Sequence, residues 1–174
     1  MLDAERIRAL LTELGARLAA RGIEGRLFLV GGAAMALAYR RERVTRDLDA
    51  VFEPKTEIYD EAARMAVEHR LPDGWLNDAV KGLLLDRTPP SEGTGTFRTD
   101  GLQVGVASAE YLFAMKAQAA RVETDGDDLR TLADELGLRS VDAALELLDR
   151  YYSPGRFRPV TRLLLESILD HDEG

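Results

Sequence analysis

The chain contains no cysteine. That absence excludes disulfides, thiolate metal sites and cysteine nucleophiles. Histidine is scarce: His69 lies in a charged helical stretch and His171 near the end of the sequence, and neither has partners at ligand spacing. No stretch approaches the roughly 20 apolar residues of a membrane span. The first residues include Asp3, Glu5, Arg6 and Arg8, which break the apolar core that a signal peptide needs. Positive charge is in deficit, with 23 Lys and Arg against 31 Asp and Glu and a formal net charge of -8. Such a surface does not coat nucleic acid nonspecifically, because phosphate binding draws on basic side chains. A local basic patch survives that argument, since Arg40, Arg41, Arg43 and Arg46 crowd one segment. The expectation is a soluble cytoplasmic protein with no membrane partner.

Hydrophobic residues make up 45% of the 174, an ordinary globular share. The length suits one domain or a compact pair of subdomains. Ile7, Leu10, Leu11, Leu14 and Leu18 recur at helical spacing and predict a helix over about Asp3–Arg21. A short strand follows over Leu27–Val30, then the Gly31-Gly32 turn and a helix over Ala33–Tyr39. Leu48, Ala50 and Phe52 alternate with Asp47, Asp49 and Val51, the period of a strand, which Pro54 closes. Further helices are predicted over Thr56–His69 and around Trp75–Val80, with a strand at Leu83–Leu85 and a loop in "TPPSEGTG". "TFRTDGLQVGV" reads as a hairpin turning at Asp100-Gly101. Beyond Ala107 the pattern is helical. Ser108 is a candidate N-cap for a helix to about Val122, and "ETDGD" reads as an interruption. Helices over Asp128–Leu136, Ser140–Tyr152 and Val160–Leu169 complete the reading, with Pro154 and Gly155 between the last two and a frayed tail "DHDEG". The predicted class is α+β. Residues 1–107 form a small mixed sheet flanked by helices, and residues 108–174 form a helical subdomain.

Two carboxylates, Asp47 and Asp49, stand two apart in an otherwise apolar strand and should share a face. They repel unless a cation lies between them, and Mg²⁺ or Mn²⁺, which take hard oxygen ligands, suit the pair. The plainer alternative is a solvated strand face. Gly31-Gly32 sits between a strand and a helix. There the backbone N–H groups can approach a phosphate at the positive end of the helix. A tight structural turn is the alternative. Together, a phosphate-cradling turn followed by paired metal ligands is the pattern of a site for an NTP and its metal.

The motif "GG…RVTRDLD" resembles the nucleotidyltransferase superfamily with the polymerase-β-like fold. More narrowly it is similar to the AbiEii/MenT-like branch, where arginine and threonine precede the acids. Here these are Arg43, Thr45, Asp47 and Asp49. A second block, Lys116, Arg121, Asp125 and Asp128-Leu129, resembles the downstream signature of that branch, and "DGWLND" resembles a bacterial group with the same fold. The resemblance implies transfer of a nucleoside monophosphate from an NTP to an acceptor. It implies Asp47 and Asp49 as metal ligands and Asp47, Asp49 and Lys116 as catalytic. Nucleotide contacts are implied from Gly31, Gly32, Arg43, Thr45, Lys116, Arg121, Asp125 and Asp128. The same branch implies a toxin with a cognate antitoxin, and for some members the tRNA 3′ end as acceptor.

Lys116 stands out without the family. On a wheel of about 100° per residue it falls amid Leu112, Met115 and Ala119. A buried ammonium is costly without a partner. It either snorkels past its alanine neighbours or meets an anion, for which an NTP, Asp47 or Asp49 would serve. The expectation is that Lys116 reaches a cleft shared with those acids. Arg121 contacts phosphate or pairs with Glu123 or Asp125. Asp125 and Asp128 also suit the start of a helix on dipole grounds alone. The arginine cluster lines a rim of the cleft or is a solvated loop. Many polymerase-β-like enzymes carry a third carboxylate on a neighbouring strand. On Leu102–Val106 the candidate positions hold Gln103 and Gly105, with Asp100 in the turn and Glu110 at the next helix. The third acid is missing or displaced. That leaves two readings, an enzyme that manages with two acids and Lys116, or a binding module on a degenerate fold.

Overall fold

The computed structural model describes residues 1–40, 42–78, 96–153 and 159–169. The expected strand at Leu83–Leu85, the "TPPSEGTG" loop, Arg41, Pro154, Gly155 and the tail lie outside these residues. The chain is a mixed α+β protein that divides into two compact units, with a break between Ala107 and Ser108.

In the first unit α1 (Ala4–Ala20) is amphipathic, and Asp3 caps it by accepting a hydrogen bond from the Arg6 amide at 2.8 Å. There follow β1 (Gly25–Leu29), α2 (Gly31–Ala38), β2 (Leu48–Glu53), α3 (Lys55–His69), β3 (Leu76–Asn77), β4 (Phe97–Arg98) and β5 (Leu102–Val106). The five strands make one sheet in the order β3-β2-β1-β5-β4. β1 runs antiparallel to β2 and parallel to β5, β2 is parallel to β3, and β4 and β5 form the expected antiparallel hairpin. Alternation sorts the side chains. Leu27 and Leu29 register with Phe52 and Ala50 on one side and with Val104 and Val106 on the other. All six are buried. Leu18 of α1 and Ile58 of α3 reach Gly25 on this face, so α1 and α3 cover it. The opposite face carries half-buried Phe28 and Asp49 with exposed Val51 and Gln103.

Trp75 does not begin a helix. It is buried, its indole N–H donates to the Ala62 carbonyl at 2.9 Å, and its own carbonyl accepts from the Leu48 amide at 2.6 Å. That bond draws Leu76 and Asn77 into the sheet as β3, which overrides the local helical pattern.

The second unit contains α4 (Ala109–Ala119), α5 (Val122–Leu136), α6 (Val141–Tyr151) and α7 (Pro159–Leu169). Ser108 and Ser140 cap α4 and α6 through their hydroxyls. α4 is buried along almost its whole length, against α5, α6 and α7. It ends earlier than its periodicity suggests, because Ala120 takes a left-handed conformation at φ 52°. The "ETDGD" segment is not an interruption: α5 runs through it.

Candidate active site

The glycine turn and Asp49 meet within the first unit. Gly31 opens α2 at φ +59°, a conformation that favours glycine. A Cβ there would come within 2.9 Å of Asp49 Oδ2, so the Asp49 carboxylate lies against the Gly31 backbone. At Gly32 a Cβ would meet Thr45 Oγ1 at 2.8 Å. Thr45 and Asp49 therefore flank the two glycines, and any larger side chain in either position would push into one of them. The backbone also ties the turn to β2, because the Val30 amide donates to the Asp49 carbonyl at 3.0 Å. The N-cap residue, Val30, makes no side-chain capping bond. The first N–H groups of a helix have no intrahelical carbonyl to reach, so those of α2 suit an anion at its positive end.

Asp47 lies one position before β2 and is exposed, whereas Asp49 is within the strand and half-buried. Leu48 and Ala50, fully buried, point to the other side. The Thr45 hydroxyl donates to the Asp47 carbonyl at 3.0 Å, and Thr45 pairs through its backbone with Leu2 in an antiparallel bridge. The segment leading to the acids is thus pinned at both its hydroxyl and its main chain. Arg43 is half-buried, Arg40 pairs with Glu42 at 3.1 Å, and Arg46 is exposed.

The donor chemistry fits a hard divalent cation, with the Asp49 carboxylate against a glycine turn that a Cβ would fill and Asp47 two residues before it. The level of Asp49 on β1 and β5 is occupied by Val30 and Ala107, beyond Leu29 and Val106 in register. β5 supplies no acid, and Gly105 sits beneath the Phe28 ring, whose Cδ2 is 3.1 Å from where a Cβ would be. Glu110 accepts from the Tyr151 phenol at 2.9 Å. Burial first, and that bond second, push the Tyr151 hydroxyl up to about 12.

Lys116 belongs to the helical unit, and its ammonium has partners there. It is 2.5 Å from Asp125 Oδ1 and 2.9 Å from Asp128 Oδ2. All three residues are buried, at 7%, 9% and 1% exposure. α4 ends at Ala120 and α5 starts at Val122, so the chain folds back and sets the last turn of α4 against the early turns of α5. Asp125 and Asp128, three apart, share a helix face. The wheel that sets Lys116 amid apolar residues does not by itself identify Asp125 and Asp128 as its partners. The i, i+3 acid spacing was the available signal. Arg121 is exposed, and its carbonyl accepts from the Asp125 amide at 2.8 Å.

His69 is not isolated either. Its Nε2 is 2.8 Å from Glu13 Oε2, and its Nδ1 is 3.3 Å from Arg6. Glu13, Glu68 and His69 bring ligand atoms within 4.8 Å of one another, the one such group of three among the described residues. Arg17 ion-pairs with both Glu13 and Glu68. Its guanidinium already supplies the positive charge that a metal would bring, so this is an ion-pair network between α1 and α3.

Among the described residues, no helix is long and apolar enough to cross a membrane. Compared with protein-family models and with curated proteins, the chain matches none of either.

Proposed function

We propose that this protein is a metal-dependent nucleotidyltransferase, moving a nucleoside monophosphate from an NTP to an acceptor hydroxyl. The observation that carries the reading is the Asp49 carboxylate packed against Gly31 at the start of α2. A phosphate-binding turn and a metal-binding acid then serve one ligand. The Gly31 and Gly32 amides would hold phosphate oxygens, with no Cβ in the way. Asp47 and Asp49 would hold Mg²⁺ or Mn²⁺, and Thr45 fixes the main chain ahead of them. When bound, the ion neutralises the triphosphate and lowers the cost of charge developing at the reacting oxygens. The acceptor oxygen would bond to the α-phosphorus as the bond to pyrophosphate breaks, and the acceptor proton would pass to solvent. Positioning supplies much of the acceleration in such transfers. Arg43 and Arg46 offer positive charge for a nucleic-acid acceptor. The tRNA 3′ end is the proposed acceptor, and a toxin paired with an antitoxin the proposed setting. Both rest on the resemblance of the motif.

A second reading, a binding module without transfer, is favoured by one feature: β5 carries Gln103 and Gly105 where an acid would help activate the acceptor. Incubation of the full chain with NTPs labelled at the α-phosphate, Mg²⁺ and total RNA decides between them. Transfer of label that is lost with chelator and with Asp49→Ala supports the enzyme. Metal-dependent NTP binding without transfer to RNA, protein or small acceptors supports the module. NTP affinity unchanged by chelator would overturn both.

A further inference from the structure

We infer that Asn77 supplies a further oxygen ligand to the cation held by Asp47 and Asp49. The inference rests on the metal-site reading above and adds a residue to it. β3 has two residues, in parallel register with β2: Leu48 opposite Leu76, and Asp49 opposite Asn77. Register partners on adjacent strands lie roughly 4.8 Å apart and present their side chains to the same face. The first pair establishes which face is which. Leu48 and Leu76 are both buried, at 0% and 1% exposure, and turn toward the core. Alternation then sends Asn77 to the side of Asp49, and both are half-buried.

The surroundings keep Asn77 in place. Trp75 anchors one end of β3 through Ala62 and Leu48. Asp78 anchors the other, with its carboxylate 2.6 Å from the Lys55 ammonium and 2.7 Å from the Tyr59 hydroxyl. Asp78 thereby faces α3, and alternation places the Asn77 side chain on the Asp49 face. The Asn77 amide nitrogen points toward the Gly74 carbonyl at 3.4 Å. Its carbonyl oxygen has the hardness that Mg²⁺ and Mn²⁺ accept. A neutral third donor also adds no repulsion to two carboxylates. The acid sought on β5 would have approached from the other side of β2, across β1. Asn77 approaches from the near side, on the adjacent strand.

Mn²⁺ alone is the probe, titrated into the full chain and followed by loss of the free-ion electron paramagnetic resonance signal. Asn77→Ala should weaken Mn²⁺ at least tenfold, in line with losses seen when metal-site partners are removed. Asn77→Asp, which keeps an oxygen in place, should bind within a few-fold of wild type or tighter. Equal Mn²⁺ affinity of Asn77→Ala and wild type, with Asp49→Asn weakened, overturns the role of Asn77 and leaves the metal site standing. Equal losses in Asn77→Ala and Asn77→Asp, with matching drops in melting temperature, would assign Asn77 a structural role and overturn the inference. Failure of wild type to bind Mn²⁺, or equal binding by Asp49→Asn, removes the metal-site reading and this inference with it.

Discussion

At Gly31 a single hydrogen separates a working turn from a blocked one. Replacement by alanine places a methyl 2.9 Å from Asp49 Oδ2 in a left-handed backbone conformation. That conformation alone costs about 1–2 kcal/mol for a residue with a Cβ. Gly31→Ala should lower stability by about that amount in urea unfolding and weaken NTP binding by a larger factor than a neutral surface change. Unchanged affinity would detach the turn from the nucleotide. Lys116 poses the opposite problem. Removing a buried ammonium that had no partner would relieve a desolvated charge. With Asp125 and Asp128 closing on it, removal instead leaves two buried carboxylates without their cation. Breaking a buried pair in this way costs about 3–5 kcal/mol. Lys116→Met should therefore destabilise strongly, and Lys116→Met combined with Asp125→Asn and Asp128→Asn should recover much of the loss. If the single variant unfolds at the wild-type midpoint, the triad has no structural weight.

Elements end where a few backbone positions dictate. α3 stops at Arg70 and α4 at Ala120, both left-handed with φ near +50°. Glycine is the residue that commonly closes a helix this way. Ala120→Gly should raise the unfolding free energy of the protein by about 1 kcal/mol, although glycine within a helix would cost about as much. A loss of stability would mean that Ala120 packs more tightly than its conformation suggests. The β4–β5 turn has less room. A Cβ on Gly101 would meet the Ala19 amide and the Gly15 carbonyl at 2.6 Å, and neither backbone atom can move aside without bending α1. Overpacking of this kind costs about 1–3 kcal/mol. Gly101→Ala should show it in urea unfolding while leaving Mn²⁺ affinity unchanged, since Gly101 lies in the turn between β4 and β5, away from the Asp49 end of the sheet.

Across the whole molecule, excess negative charge and a local arginine group pull against each other. At -8, RNA binding should be weak, salt-sensitive and dependent on few contacts. Arg43→Glu with Arg46→Glu should weaken RNA binding and flatten the salt slope. An unchanged slope would assign these arginines to a solvated loop. The ion-pair network gives stability a pH dependence. The hydrogen bond from His69, followed by Arg17, holds the Glu13 carboxyl below its ordinary value despite some burial. A lowered carboxyl stabilises the folded state above the ordinary glutamate range, and the contribution is lost as pH falls through the lowered value. The stability gap between wild type and Glu13→Gln, from urea unfolding, should therefore narrow as pH falls below the ordinary glutamate range. A gap that stays constant would mean that the pairing does not distinguish folded from unfolded chain.

What the sequence determined by itself was local and periodic. The apolar spacing of α1, the alternation through β2, the cap at Ser108, and the Asp100-Gly101 hairpin all express preferences within one turn or one strand. The glycine pair and the aspartates were legible for the same reason, as residue types at short spacing. Tertiary structure decided the rest, because distant partners set the free energy there. "ETDGD" lies within α5, where Asp125 and Asp128 meet the Lys116 ammonium. Leu76 and Asn77 became a strand because the Trp75 carbonyl accepts the Leu48 amide. His69 gained Glu13 as a neighbour only when α1 and α3 packed together. Asn77 came beside Asp49 only through the register of β3 on β2. Spacing along the chain fixes which groups share a face, but only closure of the sheet and of the helices fixes which group stands opposite.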